Sequence, residues 1–157
     1  MTRRFAFILS FAVWIALPAE KYSGPRPPKP DVPYLLHATK LVELDSVEAK
    51  EEKVKNGTAY VVQGTPAKTP LAEPIFLIEA KKLIPEKLEL YRLEKKNGRM
   101  EIVFPEKRGN KGPKPIRTTY RQLAPGLFRL EANETLENGS YSLTPAGSNT
   151  VFLFDVY

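Results

Sequence analysis

The chain has no cysteine, one histidine, one tryptophan and two methionines in 157 residues. Without cysteine there is no disulfide framework, thiolate metal site, cysteine nucleophile or lipid-modified cysteine. A lone histidine, His37, excludes the usual multi-histidine metal sites. A Ser–His–acid triad would have to recruit it, yet none of Ser23, Ser46, Ser140, Ser142 and Ser148 stands in a Gly-x-Ser-x-Gly turn. His37 therefore reads as a strand residue facing solvent or making a polar contact. Phosphate-cradling loops are missing too: Gly109-Asn110-Lys111-Gly112 runs into Pro113 rather than a helix. Asn133-Glu134 and Glu137-Asn138 come nearest to a calcium loop without completing the ligand pattern. No cofactor is expected. No stretch shows capped helical periodicity.

An apolar share of 42% argues for a folded core, and the length suits one modest domain. The N-terminus carries a distinct pattern. Met1-Thr2-Arg3-Arg4 is basic, Phe5 to Leu17 is apolar apart from Ser10, and Pro18-Ala19-Glu20 follows. This order of charge, apolar core and small residue reads as a secretory signal over residues 1–19, cut after Ala19. The competing reading is an uncleaved anchor, the one case in which membrane contact is expected. The apolar run falls short of the roughly 20 residues a bilayer requires. Cleavage removes two of the 24 basic residues, Arg3 and Arg4, and none of the 18 acids, so the net charge falls from +6 to +4. Trp14 leaves as well, which excludes a sugar-binding face built on tryptophan platforms. Export also argues against nucleic acid as a partner despite the basic balance. The expected location is secreted or periplasmic.

Residues 20–33 form a proline-rich linker, with Pro25, Pro27, Pro28, Pro30 and Pro33 in a segment that favours polyproline II. It reads as a stiff spacer; a proline-motif ligand is the alternative.

From residue 34 to residue 157 the signals are for strands. Asn97-Gly98 marks a two-residue hairpin, pairing Lys95 with Met100, Leu93 with Ile102 and Tyr91 with Phe104, with Arg92, Glu94 and Glu101 on the solvent face. Asn56-Gly57 repeats the device and sets Val54 opposite Ala59 and Lys53 opposite Tyr60. The charged arm 46–55 is expected as one exposed or edge strand, with a short helix as the alternative. Ile75 to Ile78 reads as a central strand covered on both faces. Ile116–Leu123 and Leu127–Ala132 flank Ala124-Pro125-Gly126, which has Pro and Gly where a type II turn uses them. Val151–Tyr157 is the last strand, with Asp155 expected to face outward beside Leu153. Nine or ten short strands imply an all-β antiparallel sandwich.

Leu136-Glu137-Asn138-Gly139-Ser140-Tyr141-Ser142-Leu143 runs from a loop into a strand and resembles the tyrosine corner of immunoglobulin-like sandwiches. The resemblance implies that Tyr141 bonds back to an upstream backbone group. The cysteine pair and core tryptophan of true immunoglobulin domains are missing, so the resemblance extends to architecture alone.

One positive patch stands out: Lys107, Arg108, Lys111, Lys114 and Arg117, with no acid among them, form a possible anion-binding loop. No aromatic is interleaved, so stacking on bases is unsupported. Most glutamates lie among lysines and read as a solvated face. The sequence thus points to an exported, non-catalytic β-sandwich module for binding or assembly at the cell envelope, partnered by a protein or envelope polymer. The alternatives are a small extracytoplasmic hydrolase using paired carboxylates and a polyanion binder using the 107–117 loop.

Overall fold

The computed structural model describes residues 21–106 and 112–157. The expected signal segment, and Lys107, Arg108 and Lys111 of the basic loop, lie outside the described residues.

The described chain is all-β, with one 3-10 turn at Pro85–Lys87. Its strands are β1 Pro33–His37, β2 Lys40–Glu43, β3 Ser46–Glu48, β4 Lys50–Val54, β5 Gly57–Val62, β6 Ala67–Thr69, β7 Ile75–Glu79, β8 Leu88–Lys96, β9 Arg99–Pro105, β10 Thr118–Ala124, β11 Leu127–Ala132, β12 Gly139–Pro145 and β13 Thr150–Val156. One sheet has five strands in the order β10-β11-β7-β1-β2. The other has eight: seven in the order β3-β13-β12-β8-β9-β5-β4, with β6 added alongside β13. The pairing is antiparallel except for β6, which runs parallel to β13.

The eight-stranded sheet is curled into a half-barrel, and its connectivity explains why. Its two terminal strands, β3 and β4, are separated in sequence by Ala49 alone, so its opposite ends must come together. The charged arm 46–55 is mostly exposed and lies at the sheet's edges, as expected, but it forms two strands, one at each end, rather than one. β3 pairs with β13 and β4 with β5.

The curl creates two interiors. Between the sheets lie Leu35, Phe76, Ile78 and Leu130 from the first, packed on Leu90, Tyr141, Leu143, Phe152 and Phe154 from the second. Inside the curl lie Val62, Leu93, Met100, Val151 and Leu153. β13 thus contributes Phe152 and Phe154 to one interior and Val151 and Leu153 to the other. Leu153, expected to face outward, is completely buried because the curl covers the second face of β13. Asp155 shares that face, where its carboxylate accepts from Ser140 Oγ at 2.6 Å and Lys95 Nζ at 3.1 Å.

Several local expectations hold. Ile75–Ile78 lies in the central strand β7. Ala124 pairs with Leu127 across Pro125-Gly126, and Gly126 has the φ of 75° that position i+2 of a type II turn requires. Asn97 and Gly98 take φ of 51° and 78°, and Lys95 pairs with Met100. Tyr141 forms its corner: its hydroxyl donates to the Glu137 carbonyl at 2.7 Å. Burial raises the Tyr141 phenol above its ordinary pKa, the nearby Arg92 charge opposes this, and Glu137 and Glu134 add to it. The bond is therefore intact below about pH 10 and is lost as pH rises through the raised value. Tyr141→Phe is expected to cost about 1–2 kcal/mol in urea unfolding at neutral pH. A cost near zero would mean that the corner is ornamental.

Other expectations are corrected. The ladder between β8 and β9 ends at Glu94–Glu101, so Leu93–Ile102 and Tyr91–Phe104 are not backbone pairs. Glu101 is not on a solvent face; it is 6% exposed and ion-paired with Arg99 at 3.4 Å and Lys96 at 3.8 Å. Ile116 lies outside β10 and bonds Leu90 instead, its N–H donating to the Leu90 carbonyl at 2.7 Å. At the first Asn-Gly pair, Val54 opposes Gly57 and Lys53 opposes Thr58, so Lys55-Asn56 make the turn and Gly57 already belongs to the strand. Position 57 needs glycine for a steric reason: a Cβ there would sit 2.0 Å from the Phe104 carbonyl oxygen.

The described proline-rich residues are fastened to the first sheet. Arg26 pairs with Glu79 at 3.3 Å, and Lys29 with Glu43 at 2.8 Å. Glu43 also accepts from the Tyr34 hydroxyl, and burial together with Glu43 pushes Tyr34 up to about 12. Asp31 accepts three successive amides, from Lys81, Lys82 and Leu83, at 2.8, 2.8 and 2.9 Å. Burial alone would raise its pKa; those amides and the Lys82 charge outweigh it and hold the carboxyl below the ordinary 3.8. A depressed folded pKa means stability that is present above 3.8 and lost as pH falls through the folded value. Asp31→Ala is expected to cost about 1–2 kcal/mol at pH 7, the lower end for charged hydrogen bonds because solvent reaches the site. In urea melts from pH 7 to pH 2.5, wild type and variant should converge at the acid end. Parallel curves would rule out this role.

Candidate functional site

The splaying of β8 from β9 opens a cleft of about 350 Å³ on the concave face of the curled sheet. Strand alternation decides which side chains enter it. Glu89, Tyr91 and Leu93 come from β8, Ile102 and Phe104 from β9, Tyr60 and Val62 from β5, and Ser142 and Thr144 from β12. Glu51 of β4 and the β12–β13 turn complete the rim.

Three rings make one wall. Tyr60 and Phe104 meet edge to face at 5.7 Å, and Phe104 and Tyr91 at 5.8 Å. Tyr91 and Phe104 therefore do meet, as the hairpin reading supposed, but through their rings across a gap. Below them the cleft is closed by Val62, Leu93, Ile102 and Val151, most of which belong to the second core.

The rim is held by backbone bonds. Ala146 N–H donates to Lys87 O at 2.8 Å, Ser148 N–H to Pro145 O at 3.0 Å and Ala49 N–H to Asn149 O at 2.8 Å. Ser148 Oγ accepts from Thr150 N–H at 3.0 Å. A ligand entering such a site pays little ordering entropy.

The Tyr91 hydroxyl donates to Glu89 at 3.1 Å. Burial first, then the charge and hydrogen bond of Glu89, push Tyr91 up to about 12, so it stays a neutral phenol at physiological pH. No Lys, Arg or His is among the described residues that line the cleft.

The residues singled out from sequence do not meet there. Lys114 and Arg117 are exposed on the segment before β10, away from the cleft. His37 Nε2 is hydrogen-bonded to Thr69 Oγ1 at 2.9 Å, and Thr69 is fully buried. Among the described residues, no group of three His, Asp or Glu could hold a metal ion. Sequence reasoning missed Tyr60, Tyr91, Phe104, Glu51, Glu89 and Ser142 as a set. Alternation had put Tyr91 and Phe104 on one face, but only the curl adds β4, β5 and β12. The chain matches no protein-family model, no curated protein and no solved structure.

Proposed function

We propose that the chain is an exported, non-catalytic binding module of the cell envelope, built on an immunoglobulin-like sandwich, with the cleft as its ligand site. The observation that carries this reading is the cleft itself: an aromatic wall, an aliphatic floor and a rim fixed by backbone hydrogen bonds. Its volume falls in the range of small-molecule sites, roughly 300–1,000 Å³.

The immunoglobulin-like reading is supported by strand order. β1, β7, β11 and β10 follow the order A-B-E-D, and β13, β12, β8 and β9 the order G-F-C-C′. Residues 40–69 are then an insertion between the first two strands of that plan. The cleft opens beside the β12–β13 turn, the equivalent of the F–G loop at the binding end of variable domains. The partner is a protein or polymer of the envelope, or a small molecule found there. The signal reading has its own test: the mature protein should begin at Glu20 and fractionate outside the cytosol.

Titrating the full chain with a fragment library and following its NMR spectrum tests the site. Saturable shifts should cluster at Tyr60, Tyr91 and Phe104, and Ser142→Phe, which fills the cleft, should weaken them about tenfold or more. If Ser142→Phe disturbs the fold, Phe104→Ala serves in its place. Fragments that map only to other surfaces would overturn the reading.

A second reading, hydrolysis by paired carboxylates, is supported by Glu51 and Glu89 lining one cleft. It requires turnover of a chromogenic glycoside that falls about 100-fold or more in Glu89→Gln. The binding reading expects no turnover in either protein.

A further inference from the structure

Resting on that binding reading, we infer that the cleft takes a small organic cation: an ammonium group on a short arm, joined to an aromatic ring that carries one polar atom.

Charge contrast comes first. The chain holds 24 basic residues against 18 acidic ones. Yet the described residues lining the cleft include two carboxylates, Glu51 and Glu89, and no cation. Neither glutamate forms an ion pair among the described residues. A cleft with low-dielectric walls focuses the field of such charges, so it attracts cations and repels anions.

The second observation is a gradient of polarity with depth. Thr144 pairs with Glu89 and Ser142 with Tyr91, two steps along the same ladder. The mouth therefore presents a carboxylate and a hydroxyl. The middle presents rings, and Leu93, the next concave residue of β8, closes the bottom. An ammonium at the mouth is met by Glu89, Glu51 of the rim adds its negative charge to the same cleft, and the faces of the aromatic wall favour a cation as well. The body of the ligand lies against Tyr60, Tyr91 and Phe104.

The third observation is Ser142. It is 3% exposed and makes no side-chain hydrogen bond among the described residues. No described, fully buried side-chain polar atom is left without a partner, so its hydroxyl opens onto the cleft. A purely apolar ligand would strand that hydroxyl away from water, at a cost. A ligand with a polar atom at that depth satisfies it. Two residues along a strand span roughly 7 Å, about the reach of an aryl ring with a two-carbon arm.

The test uses three probes that share one ring and differ in charge: tyramine, N-acetyltyramine and 4-hydroxyphenylacetate. Each is titrated into the full chain and read by the ring resonances of Tyr60, Tyr91 and Phe104. Tyramine should bind saturably, N-acetyltyramine about tenfold more weakly, and the anion without saturation. Glu51→Gln and Glu89→Gln should each weaken tyramine about three- to tenfold while leaving N-acetyltyramine unchanged. A fourth probe, 2-phenylethylamine, lacks the ring hydroxyl and should bind wild type about three- to tenfold more weakly than tyramine but Ser142→Ala equally well; equal binding of the two to wild type overturns the polar-atom part of the inference. Equal binding of the three probes, or no response to either glutamine variant, overturns the cation inference and leaves the cleft as a binding site. Failure of all three probes to shift the cleft resonances also overturns it. The fragment titration above then judges the cleft by itself.

Discussion

Phe154→Ala should lower stability by about 3–5 kcal/mol, the cost of deleting a buried aromatic from a packed core. Phe154 is fully buried and is where the two sheets meet. Its ring stacks on Tyr141 within the eight-stranded sheet, centroids 5.4 Å apart and planes at 18°. It also meets Phe76 of the five-stranded sheet edge-on at 5.0 Å. Truncation removes both aromatic contacts and leaves a cavity that two rigid sheets cannot close. For a domain of this size the melting temperature should fall by about 10 °C or more. Phe154→Leu keeps most of the volume and should cost about 1–2 kcal/mol. Urea unfolding of both variants, with unchanged m-values, checks the assignment. A Phe154→Ala cost below that of Phe154→Leu would show that the sheets do not depend on this contact.

The second large effect is expected at Gly57. A methyl group there would lie 2.0 Å from the Phe104 carbonyl oxygen and 2.8 Å from its carbon and from Pro105 Cα. All three are backbone atoms of β9, so no rotamer change relieves the clash. Gly57→Ala should cost about 2–4 kcal/mol, in the class of overpacking that displaces backbone. Gly98 gives the contrast. It has a φ of 78° and open space around its Cβ position, so alanine there meets only backbone strain of about 1–2 kcal/mol. The Gly57 substitution should also disturb the cleft, because β5 and β9 carry Tyr60 and Phe104. Equal costs at the two glycines would mean that Gly57 acts as a turn residue after all. Chemical denaturation gives the ranking, and the ring resonances of Tyr60 and Phe104 report the displacement.

These two sites mark where local reading of the chain succeeds and where it stops. Asn97-Gly98, Pro125-Gly126 and the Tyr141 corner were all legible, because a turn depends on the φ that its own residues tolerate and on a bond to a near neighbour. The apolar run of β7 was legible for a similar reason, since burial on both faces leaves no alternation. Asn56-Gly57 has the same dipeptide as Asn97-Gly98 and folds differently. Its turn falls on Lys55-Asn56, and its glycine answers instead to the backbone of Phe104, which is distant in sequence. Glu101 sits where alternation predicts solvent, yet it is buried and ion-paired with Arg99 and Lys96. The cleft depends on the curl of the sheet. Strand alternation already put Tyr91, Leu93, Ile102 and Phe104 on one side. Their meeting with Glu51, Tyr60 and Ser142 required a sheet whose two ends are joined through Ala49. Side-chain facing is a nearest-neighbour property of a strand, and the residues carry it with them. Curvature is the sum of many pairings between distant strands, so it exists only after the chain has closed on itself.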